Sequence, residues 1–172
     1  YEKNGVHIVG VGTIPTGRLK RMTEGAKKVY EAAKALDAEI YHFHDPELLP
    51  YGLRLKKTGK KVIFDSHEKY TDQIAVKEYL PRWVAKAVSS IYGSYERHVL
   101  RKLDAVVIPS TLNGIDPFMG QCRHTAIISN AAVLDELFDQ YDPDRARRDN
   151  LVCYVGGLTE PRGITNCMRA AH

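Results

Sequence analysis

Cysteine is scarce. Cys122, Cys153 and Cys167 are the whole supply, so any pairing leaves one thiol over, and no two of them form a C-x-x-C pair. That arithmetic argues against a disulfide framework and for reduced thiols in a cytoplasmic protein. Long apolar runs are missing too: none approaches the roughly 20 residues of a membrane-spanning helix. The sequence does not open on the charged-then-apolar pattern of a secretory leader. Nor is there an arginine-rich arm. The basic residues are dispersed, and a net charge of +4 with a pI of about 8.9 is only mildly basic. Such a balance suits phosphates or an anionic membrane surface, and no nucleic-acid partner is expected from it. Internal repeats and low-complexity tracts are absent.

What is present is a globular composition. With 44% hydrophobic and 27% charged residues the chain is too apolar for disorder, and 172 residues suffice for one ordinary domain with its own core. Residues 5–11, "GVHIVGV", read as a short strand. Residues 18–36 place Leu19, Met22, Ala26, Val29, Tyr30, Ala33 and Leu36 at spacings of three and four, which predicts a helix. Strands are predicted over 38–43, 60–66, 104–110 and 124–130, with helices over 48–57 and about 80–103. Strands separated by helices imply βαβ units and a parallel sheet, and their nearly continuous apolar runs predict burial on both faces. Residues 139–150 are charged, carry Pro143 and read as a linker. Beyond them "LVCYVGG" starts a new strand and "RGITNCMRAAH" a helix.

Titratable residues collect at two of these strand ends. His42, His44, Asp45 and Glu47 accompany the strand over 38–43; Asp65, His67, Glu68 and Lys69 accompany the next. Ligands of open parallel sheets bind beyond the carboxyl ends of the strands, and consecutive strands are often neighbours. Both clusters are therefore expected to face one crevice. Alternation along residues 41–44 sends Tyr41 and Phe43 to one face and His42 and His44 to the other. Singly, each residue has an ordinary role: a strand-end histidine often only bonds loop backbone, and Asp45 before Pro46 suits a turn. Together, two adjacent tips that each follow His with an acid point to chemistry.

Two chemistries stay open on the residues alone. Imidazole and carboxylate groups of this kind ligate zinc or manganese, although the spacing matches no familiar metal motif. The same groups also contact substrate hydroxyls without a metal. Residues 154–164, "YVGGLTEPRGI", favour the second. Gly156 and Gly157 let backbone approach a ligand, and Arg162 at a helix entry suits a diphosphate, though a plain βα turn uses the same glycines. Gly10, Gly12 and Gly17 do not keep the dinucleotide spacing.

In their order, "IYHFHDPELLP", "KKVIFDSHEKY", "YERHVLRKLDAVVIPS", "SNAAVL" and "YVGGLTEPRGI" resemble group 1, or family 4, retaining glycosyltransferases of the GT-B fold. The resemblance covers nearly the whole chain and looks strongest to bacterial members that build surface polysaccharides. It implies an α/β fold: a Rossmann-like parallel sheet flanked by helices as an acceptor-side domain over 1–138. A linker over 139–150 and the first strand, turn and helix of a donor-binding domain over 151–172 would follow. It also implies transfer of a sugar, with retention, from a nucleoside-diphosphate sugar to a hydroxyl of a glycan or lipid-linked acceptor. No metal or other cofactor is implied.

By the same resemblance His67 acts at the reacting sugar. His44, Asp45, Glu47 and Glu68 line the acceptor side, and Gly156, Gly157 and Arg162 hold the donor phosphates. Some members carry a basic residue where Gly157 stands, so phosphate binding would lean on Arg162 and backbone N–H groups. The family's opening strand and helix are not found before Tyr1, and neither is its E-x₇-E donor motif. The chain is thus expected to be a fragment of a cytoplasmic enzyme, inactive alone. Residues 78–102 mix Trp83, Tyr92 and Tyr95 with lysines and arginines, which adds an expectation of peripheral contact with the inner face of the membrane. A solvated helix face over a core is the more ordinary reading. The rival functions are a metal-dependent hydrolase using the His and Asp cluster, and a non-catalytic α/β binding module.

Overall fold

The computed structural model describes residues 1–13, 16–67, 69–75, 81–111, 114–129, 153–156 and 163–170. The chain divides into two units, Tyr1–Ala131 and Ala132–His172.

In the first unit the opening residues depart from the expected strand over 5–11. Glu2–Lys3 (β1) and Val6–His7 (β2) pair antiparallel, with Glu2 opposite His7 and Lys3 opposite Val6. Asn4 and Gly5 turn between them at φ of 52° and 75°. Those are the two left-handed positions that a two-residue Asn-Gly hairpin turn requires. Local turn chemistry won over the apolar run, and residues 8–13 form no strand.

The helix expected over 18–36 is present in three parts. α1 (Arg18–Lys20) runs into a π-helical turn, Arg21–Gly25, and then into α2 (Ala26–Ala35). β3 (Ile40–Phe43) leads through a 3-10 turn, Pro46–Leu48, into α3 (Leu49–Lys57). β4 (Lys61–Asp65), α4 (Tyr70–Ala75), α5 (Arg82–Leu100), β5 (Ala105–Ile108) and β6 (Thr125–Ile127) follow. β3 to β6 form one parallel sheet in the order β3-β4-β5-β6, so the predicted βαβ architecture holds.

Burial along the strands alternates. Tyr41, Val62, Phe64, Val106 and Ile108 are buried; Ile63, Ala105 and Val107 are half-buried, and Ile40 is 58% exposed. The expected burial on both faces thus gives way to a sheet packed mainly on one. Successive side chains of a strand point to opposite faces. Here Tyr30 of α2, Leu49 and Leu55 of α3, and Val99 and Leu100 of α5 join the buried strand residues in one cluster. Each large side chain fully buried there contributes about 1.5–3 kcal/mol.

Two contacts set the positions of the strands. Gly52 of α3 lies where an added Cβ would come within 2.8 Å of Phe43 Cε1, so the helix sits tight against the end of β3. At the opposite, amino-terminal edge, Asp104 accepts hydrogen bonds from the Val62 backbone N–H (2.7 Å) and from Lys56 Nζ (2.7 Å). Burial alone would raise the Asp104 pKa. The hydrogen bonds from Lys56 and Val62, with the charges of Lys56 and Lys61, outweigh it and hold the carboxyl below its ordinary value.

In the second unit α6 (Ile164–Ala170) matches the expected helix, opened by a Cys167 N–H bond to the Gly163 carbonyl (3.0 Å). Its described residues 153–156 form no strand, contrary to expectation. A strand needs a neighbour's backbone groups to bond, and α6 is the one regular element among the described residues of this unit. The expected linker lies outside the described residues.

Candidate functional site

The site is a product of strand register. Phe43 stands opposite Phe64 in the β3–β4 pair, so His44 continues one step on, opposite Asp65. Both H-x-H and D-x-H have the sheet's period of two, which directs His42, His44, Asp65 and His67 to one side. Beyond β4 the Ser66 N–H donates to the Val107 carbonyl (2.8 Å), continuing the pairing with β5. Ser66 is buried. That bond fixes the backbone from which His67 projects.

The four side chains converge as this register demands. His44 Nδ1 and His67 Nε2 are 2.8 Å apart, one donating its N–H and the other accepting. Asp65 Oδ2 lies 3.4 Å from His42 Nε2 and 3.4 Å from His44 Nδ1. The rings are spaced at 5.2 Å for His42–His44 and 5.0 Å for His44–His67. The side chains of His42 in β3 and of His44 just beyond it are about half exposed, at 45% and 52%, while Asp65 is 17% exposed. The imidazoles therefore meet solvent with a sheltered carboxylate behind them.

Directly after His44 the chain leaves the sheet. Asp45 adopts φ 63°, ψ 127°, a conformation uncommon outside glycine. Pro46 keeps its predecessor out of the helical region, and the Leu48 N–H closes the turn on the Asp45 carbonyl at 3.2 Å. This turn separates the expected acceptor residues. Asp45 and Glu47 line a hollow of about 230 Å³ beside the π-helical turn, with Arg21 and Gly25. His67 lines a different hollow of about 300 Å³, with Ser66, Lys69, Asp72 and Phe118. Lys69 and Phe118 also border an adjoining hollow of about 280 Å³ that reaches Glu96. Volumes of this size lie at or below the small end of ligand sites.

Glu96 is a buried acid in this wall. Tyr92 Oη donates to its Oε1 at 3.0 Å. Burial pushes the Glu96 carboxyl above its ordinary value and the Asp72 charge adds to that, while the Tyr92 bond and the Lys69 charge pull it part of the way back. Burial likewise drives the Tyr92 phenol far up.

Of the residues singled out in the sequence, His44 and His67 are in direct contact, and Asp45 and Glu47 border the separate hollow beside the π-helical turn. Gly156 belongs to the second unit, where it takes φ 154°. Glu68, Gly157 and Arg162 lie outside the described residues. Asp65, named in the sequence only as part of the second strand-end cluster and given no acceptor or catalytic role, sits at the centre of the group. Its signal was the D-x-H spacing, which repeats the H-x-H spacing one strand over. Lys69 was named with the second strand-end cluster; Glu96 gave no such signal, because its helix carries several charges and only packing shows which one turns inward. Among the described residues no helix is long and apolar enough to cross a membrane.

Residues 1–112, 112 of the 172, match the family model described as Glycosyltransferase Family 4; the match spans β1 to β5 and the whole His and Asp cluster. No curated protein and no solved structure matches the chain.

Proposed function

The chain belongs to glycosyltransferase family 4, and from that premise we propose that it forms the acceptor side of a retaining sugar transferase. The donor is a nucleoside-diphosphate sugar, and the acceptor is a hydroxyl of a glycan or lipid-linked glycan in surface-polysaccharide synthesis. The enzyme works in the cytoplasm, against the inner face of the membrane. No metal takes part in the transfer.

His67 is the group that meets the acceptor. With Nε2 engaged by His44, its Nδ1 is left for a substrate hydroxyl, which it orients and polarises. His44 is a positioning residue that fixes the ring of His67, with Asp65 behind it. Asp45, Glu47 and Glu68 bind further acceptor hydroxyls. Gly156 and Gly157 admit the donor phosphates, and Arg162 offsets the charge that develops on the departing diphosphate. The observation that carries this reading is the 2.8 Å His44–His67 contact at the carboxyl tips of adjacent parallel strands, beside a hollow of about 300 Å³. In the intact enzyme, His67→Ala is expected to lower turnover of the donor sugar by about 100-fold or more. Turnover unchanged by that substitution would remove His67 from the reaction and the reading with it.

A further inference from the structure

The reading above leaves His42 without a task, and it leaves the spacing around Asp65 unexplained. Asp65 Oδ2 is 3.4 Å from both His42 Nε2 and His44 Nδ1. A good N–H···O bond closes to about 2.9–3.0 Å, and neither contact does so. The two carboxylate–imidazole separations fit another geometry. A tetrahedral zinc ion with bonds of about 2.0–2.1 Å holds neighbouring ligand atoms about 3.3–3.4 Å apart. The ligand atoms of His42, His44 and Asp65 all lie within 4.8 Å of one another.

We infer that His42 Nε2, His44 Nδ1 and Asp65 Oδ2 form a binding site for a divalent transition metal, zinc foremost, whose occupancy switches off the neighbouring histidine pair. The donor set is right for that class: two imidazoles and one carboxylate suit zinc or cobalt, whereas calcium and magnesium take oxygen cages. The backbone is preorganised, because the ligands come from two hydrogen-bonded parallel strands whose register is set by Phe43 opposite Phe64. The rings are half exposed, so an ion enters from solvent and finds a fourth position open to water. The coupling to function follows from one atom. His44 Nδ1, 2.8 Å from His67 Nε2, has a single in-plane lone pair or a single proton to give. A metal on that nitrogen breaks the contact with His67, so the bound ion opposes the proposed transfer rather than serving it.

Titration of the tag-free chain with cobalt tests the site without any turnover. One equivalent is expected to give the visible bands of four-coordinate cobalt, and zinc to displace it. His42→Ala and Asp65→Asn, the second a near-isosteric change that guards against misfolding, should each weaken binding about 100-fold. His67→Ala should keep it within about threefold. Absence of cobalt bands in the wild type, or cobalt bound equally well by both His42→Ala and Asp65→Asn, overturns the site. In the intact enzyme, His42→Ala should transfer sugar at the normal rate and escape inhibition by zinc; inhibition equal to wild type overturns the switch. Loss of transfer in His67→Ala with no cobalt bound to the wild type would leave the transferase reading standing and the metal site refuted.

Discussion

Asp45 keeps a backbone conformation, φ 63° and ψ 127°, that costs a residue bearing a Cβ about 1–3 kcal/mol. Glycine removes most of that strain while loosening the unfolded chain by about 0.4–1 kcal/mol. Asp45→Gly is therefore expected to raise stability to urea by about 1 kcal/mol, a shift visible in the unfolding midpoint at unchanged slope. A fall instead would mean that the carboxylate itself holds the turn. Asp104 is the opposite case, a carboxylate whose side chain carries its value. It ties α3, β4 and the start of β5 together through Lys56 and Val62. Asp104→Asn should cost about 2 kcal/mol at neutral pH, in the range of hydrogen bonds to charged groups. Its folded pKa lies below the ordinary 3.8, so the stabilisation is present above that value and fades as pH falls through the folded one. The gap between wild type and variant, measured by denaturant unfolding, should narrow in acid. A gap that widened would reverse the assignment.

Among the elements, α3 and α5 make the sharpest predictions. Gly52→Ala would ordinarily favour a helix by nearly 1 kcal/mol, yet the new methyl meets the Phe43 ring at 2.8–2.9 Å. Overpacking costs of about 1–3 kcal/mol outweigh that gain, so a net loss of about 1 kcal/mol is expected, with the Phe43 ring resonances displaced. Gain of stability would show that α3 has room to lift from β3. On α5, Glu96 is buried and its carboxyl raised above the ordinary 4.5. The fold favours the protonated acid, so its contribution is complete below that value and is lost as pH rises through the folded pKa. Glu96→Gln should accordingly equal wild type in acid and exceed it in stability at neutral pH, read from paired unfolding curves; the reverse order would contradict the burial argument. The elements themselves were largely written in apolar spacing, since β3 to β6, α2, α3 and α5 all follow it. The hairpin of β1 and β2 was also written, in Asn4-Gly5, but the apolar run beside it read more loudly. α4 escaped because its six residues offer only Tyr70, Ile74 and Ala75 as apolar marks, too few to reveal a period.

For the molecule as a whole, the sheet's carboxyl edge was foreseen from topology, and the convergence of His44 with His67 follows from two strands ending side by side. The interior arrangement was less legible. Which hollow each acid faces depends on the turn at Asp45, a backbone choice that side-chain pattern does not encode, and the one-sided packing of the sheet depends on where the helices settle. Family membership fixes a sugar-transfer role in general terms; under the proposed function that role becomes specific at the pair of imidazoles. The most direct test is a double-mutant cycle on donor-sugar turnover by the intact enzyme, using His44→Ala, His67→Ala and the two combined. If His44 works only by holding His67, the combined variant should be no slower than His67→Ala alone, at about 100-fold below wild type. Losses that multiply independently, or rates that match wild type throughout, would contradict the account.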